Sequence, residues 1–178
     1  MTPSDLKKNQ INSAIELFSK GEINQALEAV QDLLKDYPNE PILFNIRGAC
    51  YADLGQLDVA VTNYNEAIKI KPDYAKAHFN LGGSLHELGQ LKAAVKSYEK
   101  TLEIEPGYAE AHNNLGNVYK ELEQNELAVK SYQKALEFKP DYVEAQYSLG
   151  IMFQDLGQFD EAAKSYKAAI KLKPDFVE

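Results

Sequence analysis

The chain has no tryptophan, one cysteine, and no apolar run approaching the ~20 residues of a membrane-crossing helix. Cys50, being alone, cannot form an internal disulfide, which agrees with a reducing compartment and an expected cytoplasmic location. The opening "MTPSDLKKNQ" has no apolar core behind its charges, so no cleaved leader is expected. There is no Asn-x-Ser/Thr acceptor. Basic residues are outnumbered, 19 Lys and Arg against 27 Asp and Glu, for a formal net charge of −8. That balance argues against nucleic acid as a partner, and against docking on an anionic membrane. GxxxxGK[ST], HExxH and CxxC are all missing, so no cofactor, metal or catalytic role is expected of this segment.

What is present is periodic. Pro38, Pro72, Pro106, Pro140 and Pro174 recur every 34 residues. Ala26, Ala60, Ala94, Ala128 and Ala162 keep the same step. Gly48, Gly82, Gly116 and Gly150 do too, with Ala14 in the first copy, and so do Tyr64, Tyr98, Tyr132 and Tyr166, with Val30 in the first copy. Five copies follow, roughly 7–40, 41–74, 75–108, 109–142 and 143–176, and 177–178 begin a truncated sixth. Hydrophobic residues make up 44% of the chain, enough for a sizeable buried surface.

Each copy reads as two helices, A and B. In the third, proline in "PDY" breaks the preceding helix, and Asp73 is placed to cap the next. Asn39, Asp141 and Asp175 hold the same place, whereas Gly107 predicts a weaker cap. Helix A is expected from about Ala75 to Glu87, with Ala77, Leu81 and Leu85 at helical spacing. Gly89 suits a left-handed turn. Helix B should follow from about Leu91 to Ile104, burying Ala94, Val95, Tyr98, Leu102 and Ile104. Gly82 and Ala94 are expected where the two helices cross, with Tyr98 filling space toward the neighbouring copy. One such pair has too little core to stand alone, which gives a physical reason for repetition.

Departures from the pattern carry their own expectations. The irregular first copy reads as an end cap. The fourth has Glu123 where others have Gly21, Gly55, Gly89 and Gly157, and Asn125 where others have Ile23, Leu57, Leu91 and Phe159, which predicts a looser start to its helix B. "PDFVE" at the C-terminus opens a sixth helix A that does not follow. The last helix B would then lack cover over Tyr166, Ala169 and Ile170, either because the chain is a piece of a longer protein or because a partner covers that face.

Side chains capable of chemistry read mostly as structural. Cys50 falls at a place where other copies have Ser84, Val118 and Met152, and is expected to be a core thiol. His78 and His112 hold equivalent places in successive copies, too far apart to share one ion, and are expected to pack. His86 is one turn beyond Gly82 on the side expected to meet a partner. Glu87, Glu103, Glu121 and Asp155 have no recognisable acid–base partner and read as solvated.

Leu81-Gly82, Leu115-Gly116 and Leu149-Gly150, Tyr51 and Tyr119 three residues after a glycine, and the Ala, Tyr and Pro series together resemble the tetratricopeptide repeat. Phe44, His78, His112 and Gln146 replace that family's tryptophan. The resemblance implies an all-α, right-handed superhelical solenoid of five tandem helix-turn-helix repeats, whose helices A line a concave partner-binding surface. It implies partner contacts from Asn12, Asn45, Lys76, Phe79, Asn80, His86, Asn113, Asn114, Asn117 and Tyr147. Asn80 and Asn114 are similar to the asparagine ladder of O-linked N-acetylglucosamine transferase-type repeats, interrupted here by Ile46 and Ser148. Such amides can read an extended backbone or bond within the stack. Lys76 and Asn80 partly match a carboxylate clamp for acidic tails, but Ile11, Ile15 and Ile46 stand where the clamp needs polar side chains. The function implied is a non-catalytic scaffold for a protein or extended peptide. The alternatives are a homo-oligomer stacked through the last helix, or the substrate-recognition arm of a longer glycosyltransferase, sulfotransferase or oxygenase.

Overall fold

The computed structural model describes the backbone of residues 3–174 and the side chains of residues 6–174. Among the described residues there are ten α-helices and no strands. The helices are α1 (Pro3–Ser19), α2 (Ile23–Asp36), α3 (Pro41–Asp53), α4 (Leu57–Ile70), α5 (Ala75–Glu87), α6 (Leu91–Ile104), α7 (Ala109–Glu121), α8 (Asn125–Phe138), α9 (Val143–Asp155) and α10 (Phe159–Leu172). The chain divides into two compact units, Met1–Gly89 with α1–α5 and Gln90–Glu178 with α6–α10. The "PDFVE" segment beyond Pro174 lies outside the described residues.

Helices A and B meet through a turn closed by one left-handed residue. Gly21, Gly55, Gly89 and Gly157 have φ between 70° and 76°. In the second copy, Gly55 N–H donates to Ala52 O at 2.8 Å and Gln56 N–H to Tyr51 O at 2.8 Å, which satisfies carbonyls that the end of α3 would leave bare. Glu123 adopts φ 58° and keeps the same two bonds, from Glu123 N–H to Lys120 O and from Gln124 N–H to Tyr119 O, both 2.9 Å. Helix α8 therefore has the same 14 residues as α4, α6 and α10. The expected loosening does not shift its start, and the irregularity is taken up in the backbone of Glu123.

The expected aspartate caps do not form. α3, α5, α7 and α9 start after Glu40, Tyr74, Tyr108 and Tyr142, none of which makes a side-chain cap bond. Asn39, Asp73 and Asp141 lie in the preceding turn, one residue too early. Gly107 consequently carries no penalty, and α7 has the same length as α5. The histidines serve a carbonyl of this turn rather than the helix N–H groups: His78 Nε2 lies 2.9 Å from Pro72 O, and His112 Nε2 lies 2.9 Å from Pro106 O. His112 also stacks on Phe138, with centroids 5.6 Å apart and planes at 10°.

The recurring spacing of glycine and tyrosine has a direct steric cause. A Cβ on Gly48, Gly116 or Gly150 would stand 2.6–2.7 Å from Cε1 of Tyr64, Tyr132 or Tyr166. Each of these rings packs against the glycine of its own copy, a contact the sequence did not reveal. The hydroxyl does reach onward: Tyr64 bonds Ser84 on the following helix A, and Tyr132 bonds Ser148 as well as Asn117 Oδ1, the latter at 2.8 Å. The first copy exchanges both partners at once, with Ala14 and Val30 fully buried in one cluster with Leu43 and Cys50. A shorter helix B side chain leaves room for a methyl group on helix A. On α10, Ala169 is buried, while Tyr166 is half-buried and Ile170 is 43% exposed.

Candidate partner-binding face

Helix α3 is apolar nearly all round, and this decides where a site can form. One side packs Leu43, Gly48 and Cys50 into the core. The other turns Ile42, Asn45, Ile46, Ala49, Ala52 and Asp53 toward a pocket of about 460 Å³. The spacing of these six residues follows a second helical stripe. Helix α1 closes the pocket with Ile15, Phe18 and Ser19; α5 adds Lys76 and Asn80; Tyr64 and Tyr74 complete it.

Of the residues expected from sequence, Asn45, Lys76 and Asn80 are brought together here. Asn80 Nδ2 donates to Asn45 Oδ1 at 3.0 Å, so these two amides bond across neighbouring helices A. Asn45 is buried, with 7% exposure, and Asn80 is half-buried. This is bonding within the stack, and it orients the pair. Lys76 Nζ sits 5.1 Å from the centroid of the Phe79 ring. Asn12 is exposed on α1 and lines a separate pocket of about 320 Å³ with Lys7, Lys8, Ile11 and Ile42. His86 is half-buried on α5, outside the lining of the larger pocket.

Within the second unit, Asn113, Asn114 and Asn117 lie on α7 and Tyr147 on α9. Asn117 accepts from the Tyr132 hydroxyl. Asn113 Nδ2 is 3.4 Å from Asn114 Oδ1, while Asn113 Oδ1 is buried and without a hydrogen-bond partner. The cause is visible by comparison with Asn45, whose oxygen is satisfied by Asn80. The residue equivalent to Asn80 one copy after Asn113 is Ser148, and its hydroxyl bonds Tyr132 instead. Tyr147 tilts against Tyr166, with centroids 5.7 Å apart.

The apolar floor and Asp53 were not anticipated as site residues. Ile15 departs from the charged clamp, and Ile46 from both the clamp and the asparagine ladder; these departures give the pocket its apolar lining. Asp53 sets the electrostatics at one end of α3. Burial pushes the Cys50 thiol up to about 11, and the neighbouring Asp53 charge adds to the effect. Burial and then Asp53 also raise the Tyr64 hydroxyl. Among the described residues no group of three His, Cys, Asp or Glu side chains could hold a metal, and no helix is long and apolar enough to cross a membrane.

Family models described as "TPR repeat" match residues 48–89, 83–123 and 116–157, and one described as "Tetratricopeptide repeat" matches 143–176. The small glutamine-rich tetratricopeptide repeat-containing protein 2 of Mycosarcoma maydis is 34% identical over 68 residues, 38% of this chain and 19% of that protein. The chain thus spans a small part of that relative's length. MamA (41 to end) from Desulfovibrio magneticus RS-1 superposes with a TM-score of 0.83 at 24% identity, over 97% of both chains. YrrB, described as a TPR protein with an unusual peptide-binding site, superposes with a TM-score of 0.76 at 21% identity, over 94% of this chain and 86% of its own.

Proposed function

We propose that this chain, which belongs to the tetratricopeptide repeat family, is a non-catalytic protein-binding scaffold that holds an extended segment of its partner on the helix A face. The observation that carries this reading is the pocket of about 460 Å³ on α1, α3 and α5, where an apolar floor meets the Asn45–Asn80 amide pair. Apolar area with a few oriented polar groups is the usual composition of a binding site. A cytoplasmic location fits the single buried thiol.

The test is site-specific photo-crosslinking in native lysate, from Phe79 on α5 and in parallel from Leu127, which is 44% exposed on α8. A foreign peptide attached at 79 and not at 127 supports the reading. The reverse pattern overturns it.

A second reading has its own observation. On α10, Phe159 is 70% exposed, and Ile170 and Leu172 are each 43% exposed. A second copy stacked there would cover them, and mass growing with concentration in sedimentation equilibrium would show it. A monomer at every concentration rejects it.

A further inference from the structure

The pocket of the first unit has a charge at each end, and both charges oppose their helices. Asp53 is the last residue of α3, and Lys76 the second residue of α5. A helix C-terminus disfavours an anion and an N-terminus a cation, so each placement costs helix stability. Each turn reverses the chain, so α3 and α5 run in the same sense and the two charges stand at opposite ends of the helix A face. Between them the lining is mainly apolar, chiefly Ile15, Ile46 and Ala49, beside the Asn45–Asn80 amide pair. Lys76 holds on α5 the place that Ile42 holds on α3. From Ile42 to Asp53 a helix rises about 16 Å at 1.5 Å per residue. Extended peptide covers about 3.3 Å per residue, so about five or six residues span that length.

We infer that this pocket selects a partner segment of about five or six extended residues with an acidic side chain at the Lys76 end, a basic side chain at the Asp53 end and apolar side chains between. The apolar side chains supply most of the affinity by leaving water. The end charges choose the partner, because a like charge at either end is repelled. This inference rests on the reading of the helix A face as the binding face.

The probe is a phage-displayed library of random dodecapeptides panned against the full chain and against two single variants, Lys76→Glu and Asp53→Lys. Both residues are exposed, and each reversal favours its helix dipole, so the fold is retained, as circular dichroism checks. The full chain should enrich peptides with one acidic and one basic residue about five positions apart around an apolar centre. Lys76→Glu should enrich basic residues at both ends, and Asp53→Lys acidic residues at both ends, whichever way the peptide runs. Peptides selected on the natural chain should bind either variant at least about tenfold more weakly. A motif lacking the charge pair, or unchanged in both variants, overturns the inference. Such binders crosslinking to α3 or α5 leave the binding-face reading standing. Crosslinks to helices B alone, or no enrichment, remove both.

Discussion

The ring of Tyr132 occupies the space that a side chain on Gly116 would need: a Cβ there would stand 2.7 Å from Tyr132 Cε1. The ring is fully buried and cannot swing aside. Gly116→Ala gains up to about 1 kcal/mol of helix propensity, but overpacking costs about 1–3 kcal/mol. The single variant should therefore be destabilised in chemical denaturation. Adding Tyr132→Val copies the Ala14 and Val30 pairing of the first copy. The double variant should be at least about 1 kcal/mol more stable than the sum of the two single effects. Strict additivity would mean that the ring is not why glycine stands there.

Glu123 is left-handed where four other turns use glycine. A side chain in that conformation costs about 1–2 kcal/mol, partly offset by the extra freedom glycine gives the unfolded chain. Glu123→Gly should raise the denaturation midpoint by the equivalent of about 0.5–1 kcal/mol. Gly157→Glu should lower it by a similar amount. An unchanged midpoint in the first variant would show that the turn relaxes around Glu123 at no cost.

Stability should also depend on His112. Burial is the main influence and holds its pKa below 6.5; Lys134 adds to this, while the Pro106 carbonyl and Glu137 work against it. The unfolded chain then binds the proton more tightly than the folded one. The stability linked to neutral His112 is complete above 6.5 and is lost as pH falls from 6.5 through the lower folded value. Gln146 fills the same place in the next copy, so His112→Gln is a tolerated comparison. Denaturation at pH 7.5 and 5.5 should show a larger loss for the natural chain than for the variant. Equal losses would contradict the burial argument.

Cys50 is fully buried, with its thiol pushed up to about 11. The thiolate is the reactive form, so iodoacetamide at pH 8 should leave the folded chain unmodified and alkylate it fully in denaturant, as intact mass would show. Rapid alkylation of the folded chain would place the thiol outside the core.

Helix limits were legible because proline and glycine punctuate the chain on a fixed step. Helices α5 and α6 span the residues expected from sequence, Ala75–Glu87 and Leu91–Ile104. Packing partners were less legible. Periodicity shows that Gly116 and Tyr132 recur together, but not that one ring lies on the other's backbone. The caps misled because an aspartate one residue before the cap position looks in sequence like a cap. Asn45, Lys76 and Asn80 were legible as candidates, though the Asn45–Asn80 bond depends on how neighbouring helices A align. The pocket itself was hidden: Ile42 carried no signal in the sequence, and Ile46 belongs to the buried cluster of α3 while also lining the pocket.

The central claim is that partners sit on the helix A face of the first unit. Its most direct test is the side-chain amide spectrum of the ¹⁵N-labelled chain, titrated with the peptide captured by crosslinking at position 79. The amides of Asn45 and Asn80 line the pocket. Asn63 is a buried control on α4, bonded to Arg47 and to Val59 O. The account predicts saturable shifts at Asn45 and Asn80 with Asn63 unmoved. Shifts at Asn63 or on helices B, with Asn45 and Asn80 still, would contradict it.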